Sequence, residues 1–393
     1  LLTSEQQTVL DKLMSFIHSK RSGEITVGGY AGTGKTYLIT QLRKKIREVM
    51  PSLLVAFVTF TGKASFVLRS KLIEENSIFK NDNISTIHSL IYRPEYEYDY
   101  DLKKKVITGW NKINNIDYDV IIIDEASMVS EYIWEDLKSY DVPIIAVGDH
   151  GQLPPVGSEF HLMNKPDLVL NTIHRQAEKS PIIKLSMIVR DKGYIPTGVF
   201  SNNVFKLPWD HPNCKGIWDK VQFDKSVIIL CGFNKTRVTL NNMIRARLNF
   251  SDSTPYPKER LICLKNNRST KISNGQIGTV VWLMPQSKEL FRVTLELDNT
   301  ESLYENLVYN DCFGKESYDT MYDKKQKIKN KLTTDYFDFG YAISVHKSQG
   351  SEWDKVVLFE QRSQYWDDEY YKRWLYTGIT RARERLFVIS NFY

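Results

Sequence analysis

The segment Gly29-Tyr30-Ala31-Gly32-Thr33-Gly34-Lys35-Thr36 fits G-x-x-x-x-G-K-[ST], with a β-branched run before it and a helical pattern to about Val49 after it. Around Gly29, Gly32, Thr33 and Gly34, backbone N–H groups can close on phosphate oxygens, helped by the positive end of the helix. In that setting Lys35 reaches the β- and γ-phosphates of ATP and the Thr36 hydroxyl binds Mg²⁺. Downstream, Val120-Ile121-Ile122-Ile123 runs into Asp124-Glu125. Two adjacent acids at the end of a buried strand are costly unless they meet a cation or a polar reaction. Asp124 is the natural partner for Mg²⁺ through water, and Glu125 the general base that polarises the attacking water. These segments predict a phosphate-loop NTPase. Kinases, transporters and GTPases share them, so they do not choose a substrate.

The elements that must hold these residues are legible as alternation. Short β-branched runs alternate with longer helical patterns, as in parallel sheets crossed by helices. Candidate strands are Ile25 to Val27, Leu54 to Thr59, Val120 to Ile123 and Ile144 to Val147 in the first half. Val227 to Cys231, Lys355 to Phe359 and Leu386 to Ile389 repeat the theme in the second. Two tandem α/β units are expected. The tyrosine-rich stretch Tyr92 to Trp110 is read as a hairpin projecting from the first. Between about 257 and 312, Leu261 to Leu264, Thr279 to Trp282 and Arg292 to Leu297 are punctuated by Asn274-Gly275 and Gly278, which suggests a small antiparallel barrel inserted in the second unit. Lys324 to Lys331 holds five lysines in eight residues and is read as a solvated helix or loop.

Composition bounds the answer without deciding it. The 393 residues allow two to four domains, and 42% hydrophobic with 25% charged residues reads as globular and soluble. No apolar stretch approaches the roughly 18 to 20 residues of a membrane span, so no membrane partner is expected. Leu1 to Leu10 carries no basic-then-apolar signal pattern. Leu1 stands where an initiating methionine would, so the numbering is expected to begin inside a longer chain. Cys214, Cys231, Cys263 and Cys312 lie far apart, and the seven histidines do not cluster. Neither a disulfide framework nor a structural zinc is expected, and a reducing, cytoplasmic compartment is the default. A net charge of +6 permits a polyanionic partner without establishing one.

The third buried run, Ile144 to Val147, ends in Gly148-Asp149-His150-Gly151-Gln152-Leu153-Pro154-Pro155-Val156. With the two segments above, this resembles superfamily 1 helicases, in which G-D-x-x-Q-L-P-P-V is a hallmark. Gln152 offers a donor and an acceptor with which to sense the γ-phosphate or its attacking water. The resemblance extends along essentially the whole chain. Leu2-Thr3-Ser4-Glu5-Gln6 resembles the amino-terminal glutamine motif, which implies that Gln6 reads the adenine edge. Thr59-Phe60-Thr61-Gly62-Lys63-Ala64 and Ser85-Thr86-Ile87-His88-Ser89-Leu90 resemble strand-contact motifs, although many relatives have proline where Phe60 stands. They imply DNA contacts from Phe60, Thr61, Lys63, Thr86 and His88. Ile173-His174-Arg175-Gln176 is similar to the segment supplying one γ-phosphate arginine, Arg175. Tyr376-Thr377-Gly378-Ile379-Thr380-Arg381-Ala382-Arg383 resembles the last motif, in which Arg381 is the arginine finger. Ala342 to Glu352 resembles the segment coupling nucleotide to strand, with Ser344 and His346 facing DNA and Gly350 and Glu352 near ribose and phosphates.

The resemblance implies two tandem RecA-like parallel-sheet domains. The first spans 1–170 with its hairpin at about 91–110. The second spans 171–256 plus 335–393, and an SH3-like β-barrel fills 257–334. Motif order and the small insertions are similar to the 5′-to-3′ branch, the Dda- and RecD-like enzymes. The implied activity is ATP-dependent, Mg²⁺-dependent translocation on single-stranded DNA and unwinding at junctions, with Tyr96, Tyr98 and Tyr100 as a strand-separating pin. Such motors serve replication, recombination and repair, and single-strand-binding or recombination proteins are the implied partners. Both halves of the nucleotide site lie in one chain, so a monomer is expected to work. A translocase that strips proteins without unwinding, and an RNA substrate, stay open. An impaired-ATPase binding module is opposed by Lys35, Glu125, Gln152 and Arg381; a small-molecule kinase is opposed by the segments at 148–156 and 376–383.

Overall fold

The computed structural model describes residues 2–19, 22–99, 104–155, 160–174, 178–267, 270, 272–298, 303–317 and 334–392. The first half is an all-parallel sheet of β1 (Gly23–Gly29), β2 (Val55–Thr59), β3 (Asn83–Thr86), β6 (Val120–Asp124), β7 (Pro143–Gly148) and β8 (Leu168–Leu170), in the order β3-β2-β6-β7-β1-β8. Central β2 and β6 are buried at every residue, which is why their sequence lacks polar alternation. Successive side chains still point to opposite faces. Phe57 and Ile122 pack with helices α1 (Ser4–His18), α2 (Lys35–Val49) and α3 (Gly62–Glu74). Val58 and Ile123 pack on the other face with α4 (Ile87–Ile91) and α5 (Glu131–Lys138). Between β3 and β6, β4 (Tyr92–Asp99) and β5 (Lys104–Lys112) pair antiparallel as a separate two-stranded ribbon, where a hairpin was expected.

The second sheet has the order β18-β11-β19-β20-β10-β9. It combines β9 (Gly198–Ser201), β10 (Val204–Pro208), β11 (Val227–Cys231), β18 (Ala342–Ser344), β19 (Trp353–Phe359) and β20 (Ala382–Ser390). All its pairings are parallel except the β9 edge. Helices α6 (Pro181–Lys192) and α9 (Asp368–Ile379) cover one face. Helix α8 (Asn234–Arg247) lies on the other, preceded in the chain by α7 (Pro212–Lys220).

The third sheet comprises β12 (Arg260–Cys263), β13 (Ile277–Pro285), β14 (Leu290–Leu297), β15 (Leu303–Tyr309), β16 (Thr334–Asp335) and β17 (Phe337–Phe339). Its first and last strands are one chain segment. Residues 334–335 pair with β15 and residues 337–339 with β12, so the sheet closes on itself. Full closure removes exposed sheet edges. The interior residues Val293, Leu295 and Phe337 share one core with α8 and the second sheet. The inserted barrel is thus packed onto the second unit.

Among the described residues no helix is long and apolar enough to cross a membrane. All four cysteines are buried.

Candidate active site

The sheet order of the first unit sets its chemistry. Parallel strands deliver their carboxyl ends to one edge, where ligands bind in open α/β sheets. There β1 ends at Gly29, β2 at Thr59, β6 at Asp124 and β7 at Gly148; Thr59 is registered against Asp124, and Gly28 against Gly148. The phosphate-loop, strand-contact and acidic segments are therefore neighbours by topology.

The loop turns tightly at Gly32 and Gly34, both with left-handed backbones (φ 83° and 78°), and Gly34 then caps α2. A side chain at Gly34 would meet Gln6 and His174 at 2.5 Å, so the position requires glycine twice over. Lys35 Nζ donates to the carbonyls of Gly29 (2.8 Å) and Tyr30 (3.1 Å) and lies 3.7 Å from Asp149 Oδ2. The Thr36 hydroxyl is 3.4 Å from Asp124 Oδ2, and the other Asp124 oxygen accepts the Glu125 N–H.

Glu125 sits in the left-handed region (φ 56°), a conformation that costs a non-glycine residue about 1–3 kcal/mol and gathers at functional sites. Burial, together with the neighbouring Asp124 and Asp149 charges, pushes its carboxyl up to about 7, against the pull of Arg381 and Lys35. Burial raises Asp124 as well. Glu125 Oε2 and Gln152 Oε1 are buried with no hydrogen-bond partner among the described residues. A few such groups per protein call for an explanation; here they line the same cleft.

The second unit closes that cleft. Leu153, fully buried, joins the core formed by α6, α9 and the second sheet. Its N–H donates to Thr377 Oγ1 and its carbonyl accepts from Gln349 Nε2. Arg373 Nη1 donates to the His150 carbonyl at 2.7 Å. The Tyr376 hydroxyl meets both Ala31 N–H (2.7 Å) and Asp149 Oδ2 (2.8 Å). Arg381, 3% exposed, donates to the Thr377 and Ser351 carbonyls and to Thr380 Oγ1. It is close enough to stabilise the Glu125 carboxylate. Arg373, Tyr376 and Thr377 recur at helical spacing, a periodicity that could have marked a face of α9 turned to the first unit.

Gln6 has partners at both ends of its amide within this structure. Its Oε1 accepts the Thr3 N–H in a capping box, and its Nε2 contacts the Thr33 carbonyl and His174 Nε2. It therefore braces the phosphate loop. Arg175 and Tyr100 lie outside the described residues, as do Val156, the Lys324–Lys331 run and the side chains of Tyr96 and Tyr98.

The strand-contact candidates gather at the other end of the same strand edge. Thr61 and Thr86 cap α3 and α4 through their hydroxyls, and His88 lies between the rings of Phe60 and Tyr92. Lys63 Nζ sits 4.5 Å above the Trp353 ring of the second unit, and burial pulls its ammonium down to about 8. Gly350 abuts Thr61: a side chain there would come within 3.2 Å of its hydroxyl. Ser344 Oγ accepts the Lys347 N–H, and His346 bonds the Tyr370 hydroxyl at 2.6 Å. Glu352 pairs with Arg383 and adds to the field at Lys63, beside the strand-contact segment.

Residues 17–158 match the AAA domain family and residues 339–389 the UvrD-like helicase C-terminal domain. The chain is 25% identical to the ATP-dependent RecD2 DNA helicase of Deinococcus radiodurans, over 98% of this chain and 48% of that protein, so it spans about half that relative's length. The ATP-dependent DNA helicase dda of enterobacteria phage T4 is 23% identical over 99% of each. Among solved structures, Bacteroides Pif1 bound to ssDNA is similar in fold, with TM-score 0.54 and 17% identity over 99% of this chain and 92% of that one.

Proposed function

We propose, from its similarity to the RecD2 and dda helicases and its match to the UvrD-like helicase C-terminal domain, that this chain is a superfamily 1 helicase, an ATP-driven motor that moves 5′ to 3′ on single-stranded DNA and unwinds duplex at junctions. The observation that carries the reading is the cleft. Phosphate-loop, acidic and glutamine segments of one α/β unit meet the arginine-bearing helix of another, and the strand-contact segments leave the same sheet edge. Residues 1–170 and 171–256 plus 335–393 are the two motor domains in this reading, and 257–334 is the insert.

Thr36 and Asp124 fit a divalent cation. They present hard oxygens 3.4 Å apart at the end of β6, and burial there destabilises the Asp124 charge. Bound there, Mg²⁺ would supply positive charge to the phosphates of the nucleotide. Lys35 turns from the Gly29 carbonyl to hold the phosphates while the Tyr30 carbonyl and Asp149 keep its ammonium in place. Glu125 takes the proton of the attacking water, and Gln152 orients that water. Arg381 gains its interaction with the γ-phosphate only when the cleft is closed, so ATP favours closure and hydrolysis releases it, and Arg175 is assigned the second γ-phosphate contact on its motif alone. Thr61, Lys63 and Thr86 on one unit and Ser344 and His346 on the other then grip the backbone alternately. Backbone contacts of this kind carry no sequence information.

Oligo(dT) is expected to raise the ATPase rate at least about tenfold, with the stimulation falling as salt rises. Hydrolysis indifferent to the strand would overturn the coupling. On a forked duplex, alanine at Tyr96, Tyr98 and Tyr100 together is expected to cut unwinding about tenfold while leaving strand-stimulated ATPase within about twofold, since stacking is worth about 1–3 kcal/mol per base. Equal loss of both activities would remove the pin assignment.

A further inference from the structure

The peptide unit joining Tyr30 to Ala31 is held on both sides. Its carbonyl accepts from Lys35 Nζ at 3.1 Å and from the Thr33 hydroxyl at 2.8 Å. Its N–H donates to the Tyr376 hydroxyl at 2.7 Å, which crosses from α9 of the second unit. That hydroxyl donates to Asp149 Oδ2 at 2.8 Å, the same oxygen that lies 3.7 Å from Lys35 Nζ. One hydroxyl thus reaches the lysine ammonium by two routes, through a peptide plane and through a carboxylate.

The ring is fixed for this task. Tyr376 is 1% exposed and meets Tyr30 edge-on. Tyr30 is in turn covered by the Arg190 guanidinium, 3.3 Å from its ring centre. Gly151 leaves no room for a side chain, which would strike Tyr30 at 2.8 Å and Tyr376 at 3.1 Å. Asp149, 1% exposed, needs such donors: it is a buried carboxylate served by Tyr376, the Gly151 N–H and Lys35.

We propose that Tyr376 is a positioning residue for Lys35: the second unit sets the phosphate-binding ammonium through the Tyr376 hydroxyl, the Tyr30–Ala31 peptide and Asp149. The inference rests on the nucleotide-site reading above and adds to it a route by which movement of the second unit changes phosphate affinity. When α9 shifts, the peptide plane and the carboxylate are released together, and Lys35 keeps only the Gly29 carbonyl as a fixed partner. The Tyr376 ring does not touch nucleotide in this account.

A double-mutant cycle isolates the coupling. Binding of N-methylanthraniloyl-ADP is measured for the whole chain, for Tyr376→Phe, for Lys35→Ala and for the double variant, with melting temperatures alongside. Losing a hydrogen bond to a charged group predicts about tenfold weaker binding for Tyr376→Phe when Lys35 is present. In the Lys35→Ala background the same change is expected to alter binding less than about twofold. An equal loss in both backgrounds, or none in either, overturns the proposal while leaving the nucleotide site intact. Failure of the unsubstituted chain to bind the probe overturns both. Should Tyr376→Phe not fold, Asp149→Asn keeps the ring and takes its place in the cycle, with the same expectation.

Discussion

Glu125→Gln is expected to lower strand-stimulated ATP hydrolysis by about 10²–10⁴ while nucleotide binding stays within a few-fold. The substitution keeps the shape of a side chain whose Oε2 is buried with no hydrogen-bond partner among the described residues, and removes only its capacity to accept a proton. A residual rate above about a tenth of the original would take the base role away from Glu125 and move it to another group of the cleft.

The same carboxylate sets the pH dependence. Because Glu125 is pushed up to about 7 by burial and by Asp124, the free chain holds much of it protonated at neutral pH. The base form therefore fills between pH 6 and 8, and kcat/KM for ATP is expected to rise by about tenfold over that interval. The titration belongs to the Asp124–Glu125 pair rather than to one residue. Stability moves the other way. The folded chain keeps this proton better than an unfolded carboxyl at 4.5, so the contribution is complete below 4.5 and is lost as pH rises through 7. Glu125→Gln cannot lose it, and is expected to melt a few degrees higher than the parent at pH 8 and no higher at pH 4. The gap sets an upper bound on the order of 3 kcal/mol.

The parts of this site that the sequence disclosed are those written in local chemistry. Gly29 to Thr36 is legible because glycines and a lysine at fixed spacing have few other uses between a strand and a helix. Asp124-Glu125 is legible because an apolar strand stops at two acids. The central strands β2 and β6 were plain as β-branched runs, whereas β3 was not. Asn83–Thr86 is short and half polar, and it forms because parallel β2 offers it a ladder. Barrel closure was equally hidden: residues 334–339 fill both open edges through pairings that no local pattern announces. The bond between Ala31 and Tyr376 spans 345 residues. Contacts of that separation depend on how two finished units dock, so the sequence showed Tyr376 only as part of a motif. Gln6 is a second case. Its place in a motif implied contact with adenine, and no local pattern announced that it also meets the Thr33 carbonyl 27 residues on.

Arg381→Ala is expected to reduce the turnover of ATP by about 10³ or more, as arginine fingers do in related NTPases, and to leave ADP binding within a few-fold. The structure also makes Arg381 a strut, since its guanidinium donates to two carbonyls and a hydroxyl at the end of α9 and beside Gly350. A loss of activity alone would therefore not separate a finger from a strut. Lysine does. Arg381→Lys retains the positive charge near Glu125 and one or two of the local bonds, so melting is expected within about 2 °C of the parent. An ammonium cannot fork across phosphate oxygens, so turnover is expected to recover no more than about tenfold over the alanine variant. Full recovery with lysine would mean that charge and packing suffice, and would assign the transition-state contact to Arg175 instead. To reach a γ-phosphate, Arg381 must leave the Thr377 carbonyl and Thr380 hydroxyl of its own helix end. In the proposed motor those bonds would hold the finger back until nucleotide competes for it, which would restrict rapid hydrolysis to the closed cleft and tie each turnover to a movement of the two units.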